Sequence, residues 1–422
     1  MQAMIQKSKS PRKDDNGAKS LPFGLDAPFF QAGLAGYSDA AMRLVARRHG
    51  CPYCVTEAML DHFLIQGGKG LKAAELDDAD HPIAGQLMGS HPKEIAQGAK
   101  ILADLGYDTI DINLACPVKK IKKKCRGGHL MQAPGEAIDI LDSVRQAVPD
   151  HIPTSVKLRR GSDDSAEATS NFHQIFEAVI ELGYTLATVH GRTVEQKYIG
   201  PSKWDFLRDL VETYKPSPPG RGWVAPSRSE EANRVRAERS DDQAQDNLAA
   251  LGPHPLVPRH PLPKGDGFYI FGSGDIWEAA DIFRMIEETG VDGVSVARGC
   301  IGNPWIFTQA RALMDGDSDA ANTPPTIEQQ RDVLLEHFRL SVNLHGEQPA
   351  GRMMRKFGIK FSRHHPNQQD VKDAFIKVTT LSDWQAVLDD FYSADTPGTP
   401  GAPGTPDSIS LQSPHHADRT DR

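Results

Sequence analysis

Tyr107-Asp108-Thr109-Ile110-Asp111-Ile112-Asn113-Leu114-Ala115-Cys116-Pro117 is a strand that runs out into a loop. Polar and β-branched residues alternate directly after a glycine, the period-2 pattern of an extended segment, and the pattern stops at Asn113. Cys116 therefore lies in a loop at the C-terminal end of a strand. The following residues load that loop with charge: Lys119, Lys120, Lys122, Lys123, Lys124 and Arg126 put six basic side chains into eight positions, just before Gly127-Gly128. The chain as a whole carries a formal net charge of -8. A cationic strip against that acidic background reads as the seat of an anionic partner beside the thiol, and nucleic acid fits that role.

Working outward, eight β-rich runs alternate with amphipathic helical stretches, at 29–34, 53–57, 82–88, 109–113, 154–158, 186–190, 268–272 and 293–297. That rhythm predicts an α/β fold, a (β/α)₈ TIM barrel. From about 325 the pattern is helical without strands (327–344, 350–361, 369–378, 381–391), which reads as a small C-terminal helical domain. The expected organisation is a disordered tail over 1–22, a barrel over 23–316, the helical domain over 325–392 and a second disordered tail over 393–422. Within the barrel, about 215–267 is crowded with Pro, Arg, Ser, Glu and Gln and poor in apolar residues, so it reads as a flexible insertion between the sixth helix and the seventh strand.

With 422 residues, 39% hydrophobic and 25% charged, the chain can bury a full core. No apolar run reaches the ~20 residues of a membrane span and the amino terminus is polar and lysine-rich, so no membrane association and a cytoplasmic location are expected. The five cysteines, Cys51, Cys54, Cys116, Cys125 and Cys300, are expected as reduced thiols. Cys51-Pro52-Tyr53-Cys54 has the spacing of a redox dithiol, but it falls between a helix and a strand in the wrong order for one, and no second Cys/His pair completes a zinc site. The structural reading is preferred and no metal is expected.

In a (β/α)₈ barrel the reactive residues gather where the strands end. This chain places polar groups there repeatedly: Ala32-Gly33-Leu34-Ala35-Gly36-Tyr37-Ser38-Asp39, Glu57, Gln86, Lys157, His190-Gly191-Arg192-Thr193, Gly272-Ser273-Gly274-Asp275 and Ala297-Arg298-Gly299. The glycine-bearing turns after strands seven and eight, each leading into a helix start, have the chemistry of a phosphate cradle, with Arg298 adding a charged donor. No Gly-x-Gly-x-x-Gly follows a strand, so a nicotinamide donor has no domain of its own here.

The ordered set Ala35-Gly36-Tyr37-Ser38-Asp39, Gln86-Leu87-Met88-Gly89, Asp111-Ile112-Asn113-Leu114-Ala115-Cys116-Pro117, Val156-Lys157-Leu158-Arg159, His190-Gly191-Arg192-Thr193, Gly272-Ser273-Gly274-Asp275-Ile276 and Ala297-Arg298-Gly299 resembles the tRNA-dihydrouridine synthases of bacterial type. The resemblance runs from about 29 to 314 and continues more loosely through Arg352-Met353-Met354-Arg355-Lys356. It implies FMN at the top of the barrel, with Gln86, Lys157 and His190 around the flavin and Gly274, Arg298 and Gly299 at its phosphate. It further implies NADPH as a transient electron donor, Asn113 facing the uracil and Cys116 as the proton donor. tRNA is the implied partner, held by Lys122, Lys123 and Lys124 and by Arg352, Arg355, Lys356 and Lys360 of the helical domain; a monomer is expected. The family usually has Pro-Met where this chain has Gly33-Leu34, Gly where it has Ala115 and Asn where it has Ser273, and the insertion is not a family feature.

Reducing the C5–C6 bond of uracil needs a hydride at C6 and a proton at C5. A thiol with a pKa near ~8.5 is mostly protonated at neutral pH and can act as that acid. Two other functions share parts of the pattern: a flavin barrel reducing a free pyrimidine or enone, and a tRNA-binding barrel without catalysis. The basic strip and the helical tail speak against the first, and bound flavin, visible as yellow protein, would exclude the second.

Replacing Lys122, Lys123 and Lys124 by Ser should weaken tRNA binding and flatten its salt dependence, each lost phosphate contact reducing the slope of log affinity against log salt by about 0.7–0.9. Filter binding over a salt series measures it, and wild-type affinity and slope in the triple variant would reduce the strip to a solvated loop.

Overall fold

The computed structural model describes residues 21–118, 126–215, 267–394 and 396–400. The basic strip from Lys119 to Cys125, the insertion at 216–266 and the outer parts of both tails lie outside the described residues.

Eight parallel strands close on themselves: β1 Phe29–Gln31, β2 Cys54–Val55, β3 Ile83–Met88, β4 Thr109–Leu114, β5 Thr154–Arg159, β6 Leu186–His190, β7 Tyr269–Ser273 and β8 Gly293–Val296. Closure comes from β1, which pairs with β2 through Gln31↔Cys54 and with β8 through Phe29↔Val294. The fold is therefore the TIM barrel that the strand rhythm predicts. β3 and β4 are buried along their whole length, as strands sandwiched between a barrel interior and a ring of helices must be.

One strand was not legible. Met59–Leu60 pairs in parallel with Leu87 and Met88 of β3. The two residues of β2 reach only Ile83 and Ala84, so the outer half of the longer β3 is left with an open edge, and the returning chain covers it. β1 also ends earlier than the expected 29–34. A Cβ on Gly33 would stand 2.3 Å from the carbonyl oxygen of Thr56, so the chain passes its neighbour there too closely for any side chain.

The barrel helices follow in order: α1 Ala40–Arg48, α2 Asp61–Gln66, α3 Lys69–Lys72, α4 Pro92–Asp104, α5 Pro134–Ala147, α6 Ala166–Glu181, α7 Trp204–Tyr214, α8 Ala279–Thr289 and α9 Trp305–Met314. α1 starts on Asp39, whose carboxylate accepts from Met42 N at 3.0 Å. It is fixed to the barrel by a buried ion pair, in which Arg43 Nε donates to both oxygens of Asp80 at 3.2 and 3.0 Å and Nη1 donates to Ser38 O at 2.7 Å. The amino-terminal end of the barrel is plugged from below: Leu21 and Phe23 cap a cluster of Leu25, Phe30, Tyr53, Leu186, Tyr269 and Phe271, with Phe23 stacked on Tyr53 at 5.2 Å. Residues 21 and 22, placed in the tail by the sequence, thus belong to the barrel floor.

After the short α10 Ser318–Asn322 come the expected four helices, α11 Ile327–His345, α12 Glu347–Phe361, α13 Gln368–Lys377 and α14 Leu381–Phe391. They pack around Phe338, Phe375 and Trp384, with Trp384 stacked on Phe338 at 5.3 Å. Their core is continuous with the barrel's: Trp305 meets Phe361 edge-on at 5.7 Å and Tyr37 meets Phe357 at 5.5 Å. Polar clasps join the same seam, His345 Nε2 to Asp39 Oδ2 at 2.9 Å and Arg363 Nη2 to Gly299 O at 2.9 Å. The first residues of the expected carboxyl-terminal tail also pack here, with Ile327 N donating to Thr396 O at 3.0 Å and Thr399 N to His364 O at 2.9 Å.

Asp80→Ala should lower stability by about 3–5 kcal/mol, because it strands the buried Arg43 guanidinium without its counter-charge. Chemical denaturation measures the loss, and a change below ~1 kcal/mol would mean water replaces the carboxylate freely.

Candidate active site

The strand register stacks the polar residues of the barrel interior in layers. Gln86 of β3 lies opposite Asp111 of β4, which lies opposite Ser155 of β5; two residues further along, Asn113 lies opposite Lys157. Gln86, Asp111, Ser155 and Lys157 line one pocket together with Gly33, Thr188 and Ser295. Its polar groups form a directed chain. Ser155 Oγ donates to Asp111 Oδ1 at 2.6 Å, Gln86 Nε2 to Asp111 Oδ2 at 2.8 Å and Asn113 Nδ2 to Gln86 Oε1 at 2.7 Å. Asn113 Oδ1 then accepts the N–H groups of Ala115 and Cys116, each at 3.0 Å. The side chain of Asn113, expected to face a base, is largely occupied in holding the cysteine loop, and one amide hydrogen remains for another partner.

Cys116 is anchored from other sides too. Arg159 Nε donates to Ala115 O at 2.7 Å, while its Nη1 reaches Thr193 O at 2.8 Å and Lys197 O at 2.6 Å. Gly128 N donates to Cys116 O at 3.0 Å, and a Cβ on Gly128 would meet Val194 Cγ2 at 2.9 Å, which explains the glycine after the basic strip. Burial pushes the Cys116 thiol above its ordinary pKa; the N–H of Val118 and the charges of Arg159 and Lys157 pull the other way without prevailing. Burial therefore favours the S–H form of Cys116.

Four cations converge near His190. Lys157 is lowered to about 8 by burial, against the attraction of Asp111, and Arg159 is lowered to about 10, also by burial. His190 is held well below its usual range by burial and by Arg159, Arg192, Lys157 and Arg298, so it is neutral. Arg192 Nη1 donates to its Nε2 at 3.3 Å, which leaves the ring proton on Nδ1. Arg192 also pairs with Asp275 Oδ1 at 2.6 Å, and Ser202 N donates to Asp275 Oδ2 at 2.6 Å, so the turn after β7 is tied to the loop after β6.

That turn needs its glycine: Gly274 has φ +111°, and a Cβ there would sit 2.5 Å from His190 Cδ2. A Cβ on Gly299, after β8, would sit 2.2 Å from the Ile276 carbonyl oxygen, so the two turns touch backbone to backbone. The half-buried Arg298 packs its guanidinium on Trp277 at 4.8 Å and on Tyr198 at 5.1 Å, with Arg159 over the same tyrosine at 5.5 Å. Ser273 is spent structurally, its hydroxyl donating to Ser295 O at 3.1 Å.

Of the residues expected to meet RNA, Arg352 and Arg355 are exposed on α12, whereas Lys122, Lys123 and Lys124 lie outside the described residues. Lys356 turns the other way. Its ammonium donates to Gly36 O and lies over the Tyr37 ring at 4.6 Å, while Gly36 N donates to Glu57 Oε2 at 2.7 Å. It belongs to the seam with the barrel because Phe357, its neighbour on the helix, is buried there. Cys51 and Cys54 are buried core residues with sulfurs 4.0 Å apart. Asp111, Ser155, Arg159 and Tyr198 were not singled out by sequence; the first three share the inward alternation of Asn113 and Lys157, which was the available signal.

A model of the dihydrouridine synthase family (Dus) matches residues 30–215 and 268–395. The chain belongs to the dihydrouridine synthase family. A relative in Treponema pallidum (strain Nichols), described as "Probable tRNA-dihydrouridine synthase", is 28% identical over 376 residues, 87% of this chain and 94% of that one. A relative of the same description in Rickettsia bellii (strain RML369-C) is 28% identical over 377 residues, 88% of this chain and 96% of that one. Among solved structures, histamine dehydrogenase from Rhizobium sp. 4-9 aligns with a TM-score of 0.46 at 13% identity over 75% of this chain, which spans about half (49%) of that chain's length. The dihydrouridine synthase model leaves 216–267 unmatched between its two stretches.

The thiol should titrate above the ~8.5 of free cysteine. Peptide-resolved alkylation by iodoacetamide from pH 6 to 10 reads this at Cys116 alone, and a midpoint below that value would mean that the neighbouring cations, not burial, govern it.

Proposed function

We propose that this chain reduces uridine in tRNA to dihydrouridine, with FMN bound at the open end of the barrel and NADPH as the electron donor. The observation that carries the reading is the placement of Cys116: a thiol kept protonated by burial, on a loop fixed by Asn113 and Arg159, beside a cationic cluster at the strand ends. Membership of the family supports it.

The residues present fit FMN. Gly274 and Gly299 let the turns after β7 and β8 pack against His190 and Ile276 without a side chain between them, and Arg298 stands beside them for a phosphate. Lys157, Gln86 and neutral His190 offer a cation and hydrogen-bonding groups for a flavin ring. Reduced FMN, when bound, supplies the hydride to C6 of the uracil. Cys116 gives its proton to C5 and is left as thiolate, which Arg159 and Lys157 stabilise until solvent returns the proton. Asn113 keeps the thiol loop in place and has one amide hydrogen left for the base. Arg352 and Arg355, with Lys122, Lys123 and Lys124, hold the phosphates of tRNA, and Lys356 serves the seam instead. The protein works as a cytoplasmic monomer in this reading.

Cys116→Ala should keep its flavin and its RNA-independent NADPH oxidation and lose about 10²- to 10⁴-fold in dihydrouridine formation, the usual contribution of a general acid. Single turnover with pre-reduced enzyme and unmodified tRNA measures it, and an unchanged yield would sink the role of Cys116.

A further inference from the structure

We infer that Asp111 is a positioning residue of this site, setting the orientation of the Cys116 loop through Gln86 and Asn113. The inference deepens the proposed reaction and rests on Cys116 as its proton donor. A side-chain amide is nearly symmetrical in shape, and its two ends differ only in that one donates and the other accepts. Left alone, Gln86 could take either orientation, and only one of them agrees with an Asn113 whose Oδ1 accepts from Ala115 and Cys116. Asp111 removes that freedom, because both of its oxygens accept: Oδ1 takes the Ser155 hydroxyl, and Oδ2, 2.8 Å from the Gln86 amide, takes Nε2.

The choice then propagates. With Nε2 committed, Gln86 presents Oε1 to Asn113, which must answer with Nδ2 at 2.7 Å and therefore turns Oδ1 toward the N–H groups of Ala115 and Cys116. Were Asn113 reversed, its amide hydrogens would confront two backbone donors and the loop would be pushed off. Asp111 itself is held by Ser155 Oγ at 2.6 Å, and Gln86 by its own N–H donating to Thr56 Oγ1 at 2.9 Å, so the chain starts from a fixed point on the barrel wall. Asp111 and Gln86 are 5% and 1% exposed, so water cannot easily substitute for either link.

The test is peptide-resolved alkylation of each protein saturated with FMN and matched for flavin content by its absorbance, with Cys51, Cys54 and Cys300, all buried, as internal controls. Asp111→Leu removes the acceptor, and Gln86→Leu cuts the chain at its middle while leaving the carboxylate. Each should speed alkylation of Cys116 by about tenfold at pH 7.5, the effect of losing a hydrogen bond to a charged group, and leave the three buried thiols unchanged. Asn113→Ala should give the same rise, and Asp111→Leu combined with Asn113→Ala should add nothing further, since both act through one chain. Equal acceleration at all four thiols would make Asp111 a general stabiliser and overturn the inference, as would multiplicative effects in the double variant or no change at Cys116. If Asp111→Leu does not fold, Gln86→Leu and its combination with Asn113→Ala decide by the same criteria. The role of Cys116 as acid is judged separately by Cys116→Ala in single turnover, so the two readings can fail independently.

Discussion

Burying the Asp111 carboxylate in a barrel interior is tolerable only because Ser155 and Gln86 donate to its two oxygens, at 2.6 and 2.8 Å, and because Lys157 lies near enough to favour its charge. Desolvation still raises its pKa, so the donors do not fully replace water. The side of the open end that carries Cys116 follows from that need. Gln86 is oriented by it, Asn113 by Gln86, and the loop of Cys116 by Asn113. A second brace, Arg159, reaches the same loop from β5 and joins it to the loop after β6.

Electrostatics at this end run against the chain as a whole. Lys157, Arg159, Arg192 and Arg298 converge on a histidine that burial first, and these charges second, keep neutral, within a protein of formal net charge -8. Concentrating positive potential in one concave region draws anionic ligands there and leaves the outer surface unattractive to them. Burial also separates the two kinds of ionisable group. It holds the Cys116 proton on and eases the Lys157 proton off, so that of the two only Lys157 is moved toward neutral pH.

The barrel was legible because its strands carry a period that no helix shares and because glycine turns separate them. Residues 29–34 and 293–297 could be read as neighbours in a closed sheet only through the count of strands, and the pairing of Phe29 with Val294 bears this out. Met59–Leu60 escaped because two residues show no period and their pairing answers a length mismatch between β2 and β3. Cys116 stood out by its surroundings, whereas Asp111 and Arg159 were quoted within motifs without a role, since the hydrogen bonds that define them join different strands. Lys356 shows the limit of helix geometry: spacing placed it beside Arg352 and Arg355, but the face that a helix buries depends on its neighbours, and here the Gly36 loop claims the ammonium.

The Gly36 peptide is gripped at both ends, its N–H by Glu57 of the barrel and its carbonyl by Lys356 of α12. A barrel lent to foreign helices would leave that peptide half-held and would deprive Glu57 of the Lys356 charge, with Arg43 of the barrel as its remaining cation. Loop 33–39 and α12 therefore have to be inherited together, so the boundary at which such proteins can recombine lies not at the start of the helices but on either side of this seam.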